Sequence, residues 1–467
     1  MSETFTDRWG VPVQATDLAA ITLLDQAIED LVSLAGDPVG GAEAAIAADG
    51  DLALARIFRA YLSLYATTAD GVAEASALLK PLEADAAGPG EAPIRRTGPV
   101  APTASVAPRE THHLAAARAW ADGDWQAATR ALRGALVANP RDLLALKVAQ
   151  DLCFFLGNRQ ELRDVVARVL PAWPDSDPAW GFVQGMYAFG LEENADYAGA
   201  RDAARRALAR DPKDVWAVHA LAHVFEMEGS LDPGVSFLTS SAPDWRNSYF
   251  AVHNWWHLGL YLLELGRADD ALALYDERIR AVRSTEWLDI VDAAALLWRL
   301  ALYGKDVAGR AAALAADISD LVGASTYLFN DWHAVMTFGL AGDHARAAQV
   351  VAANQNPTAP TNRLAAERAG RTLLTAFSAF TAGEPAATVD LLIDIRPEAH
   401  VVGGSHAQRD IIDLTLMAAA TRSGQAGLAR ALVTERVARK PSAEPSARAL
   451  LLANDGDEAW LAWEPTA

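Results

Sequence analysis

From residue 113 onward the chain alternates between two kinds of helical segment, one apolar and one rich in alanine, joined by a glycine and a short polar turn. The stretches WADGDWQAATRAL, FLGNRQELRDVV, MEGSLDPGVSFL, LELGRADDALALY, LYGKDVAGRAAAL, LAGDHARAAQVV, TAGEPAATVDLL and RSGQAGLARALV all follow this form. Their turn glycines are Gly123, Gly157, Gly229, Gly266, Gly304, Gly342, Gly383 and Gly424, with gaps of 34, 72, 37, 38, 38, 41 and 41 residues. The gap of 72 is two repeats with one glycine missing near Ala195. Such a period, with small residues after the turn and prolines at repeat ends such as Pro140, Pro212 and Pro441, is the tetratricopeptide pattern of paired helices in a loosened form.

Similar apolar periodicity around residues 17–35 and 51–66 predicts about two more helical pairs at the start of the array. No alternating strand pattern of any length is visible. The expected fold is therefore all-α, a tetratricopeptide-like helical-repeat solenoid, or α/α superhelix. Residues 1–85 are expected to form the N-terminal helical pairs and 111–467 the repeat array that carries the site. Between them, 86–110 read as a Pro/Ala/Gly-rich linker or surface strap.

Helical geometry sorts the inner helices into packing and exposed faces. In VWAVHALAHVFEMEG, Val218, Leu221, Ala222 and Phe225 form the stripe that packs repeat on repeat. His219, His223 and Glu226 stack on a second stripe roughly 110° away, which should face the concave side. The next inner helix, VHNWWHLGLYLLELG, carries His253, Trp256 and His257 on its remaining face. TEWLDIVDAAALLWRL brings Asp289 and Asp292, for which helix capping is the competing role. YLFNDWHAVMTFGLAG brings Asp331 and His333 around Trp332. Repeat proteins bind on the surface such helices line, and pockets join apolar walls to a few convergent polar groups.

Composition narrows the partners. Against 60 acidic residues stand 40 basic ones, a net charge of −20, and no run of Lys and Arg exceeds a pair such as Arg95-Arg96. A phosphate backbone needs concentrated positive charge, so neither nucleic acid nor an anionic membrane is an expected partner. The start, MSETFTDRWG, is acidic where a secretory signal would be basic, and the one cysteine, Cys153, sits in an apolar run. A cytoplasmic location is expected.

The segments GVPVQAT near residue 10, HALAHVFEMEG at 219, HNWWHLGLYLLELG at 253, YDERI at 275, LDIVDAAALLWRL at 288, FNDWHAV at 329 and GGSHAQRD at 403 resemble the tetratricopeptide repeat protein 38 family. The similarity runs from the N-terminus to about residue 425. It implies a degenerate, closed-up helical-repeat fold around a central pocket. It supplies no reaction, and it nominates His219, His223, His253, His257, Asp331, His333 and Arg409 as positions within the family's motifs.

The function expected from these features is a His/Asp/Glu/Trp-lined pocket for a small molecule. A cofactor-independent enzyme using His and Asp for proton transfer is the alternative, and a protein–protein scaffold the second alternative. The candidate catalytic groups are His219, His223, His253, His257, Asp331 and His333. Glu226, Trp256, Asp292, Trp332, His406 and Arg409 are the candidate ligand contacts. An offset of two turns Asp331 away from His333, so a carboxylate orienting an imidazole must come from another helix. The pairs expected are Asp331 or Asp292 with His253 or His257, and Glu226 with a neighbouring histidine. No cofactor is expected, since no dinucleotide fingerprint or P-loop appears. His219-x-x-x-His223 has zinc-ligand spacing, but Ala220 stands where HExxH needs glutamate. The weaker metal reading takes His219 and His223 with Glu226 or a neighbouring helix.

Overall fold

The computed structural model describes residues 3–87, 108–321 and 325–456. Of the linker expected over 86–110, residues 88–107 lie outside the described residues, and its two ends are the last and first turns of helices.

The glycine period encodes a backbone requirement. All eight turn glycines have φ between 63° and 82°, the left-handed region that only glycine enters without penalty. There the following N–H reaches back to a carbonyl of the helix's last turn, as Ser230 N does to Phe225 O at 2.9 Å. Where the glycine is missing, Ala195 takes the same conformation at φ 64°, and Asp196 N reaches Leu191 O at 3.0 Å. The turn survives because the cap bonds outweigh one strained alanine. Ala195→Gly is accordingly expected to stabilise the protein by about 1 kcal/mol, read as a higher urea midpoint. An unchanged or lower midpoint would mean that the alanine carries no strain.

A short polar residue starts most second helices and several first ones. Asp124, Asp142, Asn158, Asp196, Asp214 and Asp343 each accept a hydrogen bond from a first-turn N–H that has no carbonyl within the helix to bond. The N-terminal pairs are α1 (Leu18–Ser33) with α2 (Pro38–Ala48), and α3 (Ala53–Tyr65) with α4 (Ala69–Ala87). Then follow α5 (Pro108–Ala121) with α6 (Trp125–Ala138), α7 (Leu143–Phe155) with α8 (Arg159–Ala167), and α9 (Trp180–Glu193) with α10 (Tyr197–Arg210). Next come α11 (Val215–Met227) with α12 (Leu231–Trp245), α13 (Ala251–Glu264) with α14 (Ala268–Leu274), and α15 (Trp287–Leu302) with α16 (Ala308–Asp317). The last pairs are α17 (Leu328–Leu340) with α18 (His344–Ala353), then, after the short α19 (Pro360–Ala365), α20 (Arg371–Thr381) with α21 (Pro385–Ile395), and α22 (His406–Arg422) with α23 (Ala426–Arg439). A final helix, α24 (Glu444–Ala453), packs on α22 and α23. None of the described helices is long and apolar enough to cross a membrane.

One expectation is corrected: the chain opens with a hairpin of β1 (Glu3–Thr6) and β2 (Pro12–Ala15), paired antiparallel from Glu3↔Ala15 to Thr6↔Pro12. Four-residue strands are too short to show a period in sequence. Asp7 shapes the turn by accepting from Trp9 N at 3.0 Å and Val11 N at 2.8 Å, and β2 packs against α1, α3 and α5.

The superhelix closes on itself. Thr326 N donates to Thr67 O at 2.8 Å and Thr361 N to Gly123 O at 3.0 Å. Tyr327 Oη donates to Phe155 O at 2.8 Å, and Trp298 Nε1 to Thr415 Oγ1 at 2.9 Å. Trp120, Trp245, Trp256, Trp298 and Trp332 are fully buried, so these indoles fill the core; a cavity lies at the seam where the last repeats meet the earlier ones.

Candidate functional site

Helices α11 and α13 belong to consecutive repeats and pack together. Apolar stripes set their rotation, which turns His219 and His223 of one toward His253 and His257 of the other. His219 Nε2 lies 3.0 Å from His223 Nε2 and 3.1 Å from His253 Nε2. The His257 ring is 4.5 Å from that of His223 and 4.9 Å from that of His253. All four rings are buried, and one nitrogen from each lies within 4.8 Å of the others.

Carboxylates stand behind three of the rings. His253 Nδ1 is 3.0 and 2.9 Å from the two oxygens of Asp292, so Asp292 orients this imidazole rather than capping α15, whose N-cap residue is Glu286. His223 Nδ1 is 3.2 Å from Glu192 Oε2, and His257 Nδ1 is 3.6 Å from Glu226 Oε2. Burial, and then the neighbouring imidazoles, hold His219 and His257 well below the usual histidine range. Both rings are therefore neutral at physiological pH.

The seam supplies the cavity. Gly403 and Gly404, at φ 92° and 76°, turn the chain into α22, where Ser405 and Gln408 form a capping box. His406 then meets the end of α9: its Nε2 is 2.7 Å from Glu192 Oε1 and its backbone N donates to Glu193 Oε1 at 3.0 Å. Burial alone would lower His406, but Glu192 and Glu193 push it up to about 9. Burial alone would likewise raise Glu192, but His406 and His223 hold it down at about 2. Glu192, Glu193 and His406 line a cavity of about 590 Å3 together with Glu226, Arg409 and Lys440. Arg409 donates to the carbonyls of Gly403 and Gly404, and Lys440 Nζ to Glu226 at 3.3 Å and Glu264 at 2.6 Å.

Six groups were expected to converge on one cavity, and the structure brings only four of them together. Asp331 does not pair with His253 or His257; it accepts from Asn354 Nδ2 at 3.1 Å, and burial raises its carboxyl to about 7. His333 points its Nδ1 at Phe329 O, 2.7 Å away on its own helix, and burial lowers it to about 3. Trp332 is core, edge-on to Phe377 at 5.1 Å. Trp256 is stacked on His253 at 5.1 Å and lies under Arg299, supporting the imidazoles without lining the cavity.

Sequence reasoning passed over Glu192, Glu193 and Lys440. A signal existed for the two glutamates: adjacent acids at a helix C-terminus oppose its macrodipole, an unfavourable placement that points to a local positive partner.

No family model matches the chain. Among solved structures it is similar to the human IFIT1 dimer with PPP-AAAA at 14% identity, over 94% of this chain and 90% of that one, with a TM-score of 0.39. It is also similar to yeast Tom70 at 11% identity, over 95% and 87%, with a TM-score of 0.32. A tetratricopeptide repeat protein from Parabacteroides merdae matches at 12% identity, over 66% of this chain and 98% of that one, with a TM-score of 0.32. The succession of paired helices in the chain itself is a tetratricopeptide-like helical-repeat solenoid. That statement concerns its fold, and function has to be argued from the site.

Proposed function

We propose that the protein binds a small charged metabolite in the seam cavity. The observation that supports this most directly is the pair of buried Glu192 and half-buried His406 in the lining of a cavity of metabolite size. Ligand sites combine a volume of this order with a few fixed polar groups and apolar wall. Here the fixed groups have both signs, with Glu193 opposite Arg409 and Arg159, and Ile393, Met227 and Ile412 supply apolar surface. A molecule carrying both an amine or hydroxyl donor and an anionic group matches that wall. The resemblance to the tetratricopeptide repeat protein 38 family agrees with this placement, since its GGSHAQRD segment contributes His406 and Arg409. A nucleic-acid backbone suits the cavity poorly in a chain of net charge −20.

A thermal-shift screen of amino acids, amines, carboxylates and sugar phosphates tests the proposal. At least one compound is expected to raise the melting temperature by several degrees, as saturating ligand does. Ile393→Trp, which fills the cavity from its wall, should abolish the shift, and Glu193→Gln should weaken it. A screen without any hit, or a hit indifferent to both substitutions, would remove the reading.

A further inference from the structure

The four imidazoles of α11 and α13 present a proton-counting problem. With Asp292 at its Nδ1, His253 carries its proton there and turns the Nε2 lone pair inward. Glu192 and Glu226 stand on the Nδ1 side of His223 and His257, at 3.2 and 3.6 Å without a hydrogen bond, and leave the Nε2 atoms of these rings facing inward. His219 Nε2 lies against two of these inward nitrogens at 3.0 and 3.1 Å. One proton on His219 serves one neighbour well, which leaves other lone pairs facing each other in a buried site. His257 Nε2 has no hydrogen-bond partner at all, and neither does His219 Nδ1. Buried unpaired polar atoms are costly, and a single cation at the centre would engage one nitrogen of every ring.

We propose that His219, His223, His253 and His257 bind one divalent first-row transition-metal ion, with Zn2+ as the reference case, through their four inward nitrogens. Metal–nitrogen bonds of about 2.0–2.1 Å in a tetrahedron separate the nitrogens by about 3.4 Å; two separations here are 3.0 and 3.1 Å and all lie within 4.8 Å, so a small movement of the rings would complete the set. Imidazole suits zinc, copper, nickel and iron(II), and the set contains no thiolate. A carboxylate behind a ligating histidine fixes the ring and raises its basicity, and three rings have one: Asp292, Glu192 and Glu226. These acids also offset the charge of the ion. A second group of possible ligands, Glu192, Glu193, His223 and His406, is less suited because its members already bond one another. Four protein ligands leave no open position, so the ion is structural. It ties α11 to α13 one layer behind the seam cavity, and the proposal stands whether or not that cavity holds a metabolite.

The test uses the full chain, stripped with chelator, returned to chelator-free buffer and titrated with Zn2+ or Co2+. One ion per chain is expected, with the intense visible absorption of four-coordinate Co2+ and a melting temperature about 5 °C or more above the stripped form. Asp292→Asn should weaken binding about 10–100-fold at unchanged stoichiometry. His257→Gln should abolish it, and His344→Ala, at an exposed histidine, should leave it intact. Should His257→Gln fail to fold, the wild type and Asp292→Asn still decide. A folded wild type that takes up neither ion overturns the proposal, as does uptake that Asp292→Asn leaves unchanged or that His344→Ala abolishes.

Discussion

Gly403→Ala is expected to cost the fold about 3 kcal/mol or more and to displace His406 from Glu192. At φ 92° and ψ −166°, Gly403 occupies a region that essentially only glycine visits. A Cβ there would also overlap Tyr327 Oη and Phe155 O, two groups that hydrogen-bond each other at 2.8 Å across the closure. Backbone strain and overpacking therefore act on the same atom. Either the Tyr327 bond breaks or the loop moves, and the loop sets where α22 begins. The comparison that isolates the contact is Gly342→Ala, where φ is 75° but nothing lies within 4 Å of the new methyl. That change is expected to cost only about 1 kcal/mol. Urea unfolding followed by tryptophan fluorescence measures both, and equal losses would show that closure does not depend on Gly403.

Arg109→Met should lower stability by about 3–5 kcal/mol, since it leaves two buried carboxylates without their cation. Arg109 donates through Nε and Nη2 to Asp142 at 2.8 and 3.0 Å, and through Nη1 to Asp7 at 2.8 Å. His113 Nε2 adds a contact to Asp142 at 3.0 Å. Burial would raise Asp142, but Arg109 and His113 hold it far below the usual carboxylate range; burial keeps Asp7 raised in spite of Arg109. The cluster pins the N-terminal hairpin to α5 and to the start of α7, so its loss should release the hairpin as well. Asp7→Asn is expected to be milder, about 1–2 kcal/mol, because the two-pronged bond to Asp142 remains. Denaturation midpoints and protease sensitivity near residue 16 report the two effects. A methionine variant within about 1 kcal/mol of wild type would show that the cluster is dispensable.

Much of the architecture is local and was therefore readable. A turn glycine every 34 to 41 residues reflects a φ requirement at one position, and its absence near Ala195 marked a turn that forms under strain. A spacing of four put His219 beside His223 and His253 beside His257 because helical periodicity needs no tertiary information. The expected partnership of imidazoles with carboxylates from other helices also followed from that geometry, and Asp292 and Glu226 lie behind His253 and His257 as it requires. The hairpin was too short to show a period.

Which helix faces which was not local. Asp331 and His333 looked equivalent to the other polar residues of inner helices, yet the bonds they make stay within their own repeat, to Asn354 and to Phe329 O. Glu192 gained its role only when α22 delivered His406 from 214 positions along the chain, and Lys440 reached Glu226 across the same distance in sequence. The sequence alone thus determined the repeat, its turns and the imidazole-bearing faces, since these depend on residues within a turn or two of one another. Closure of the superhelix decided the seam and the cavity, since small rotations between repeats accumulate over the array and only their sum determines which ends meet.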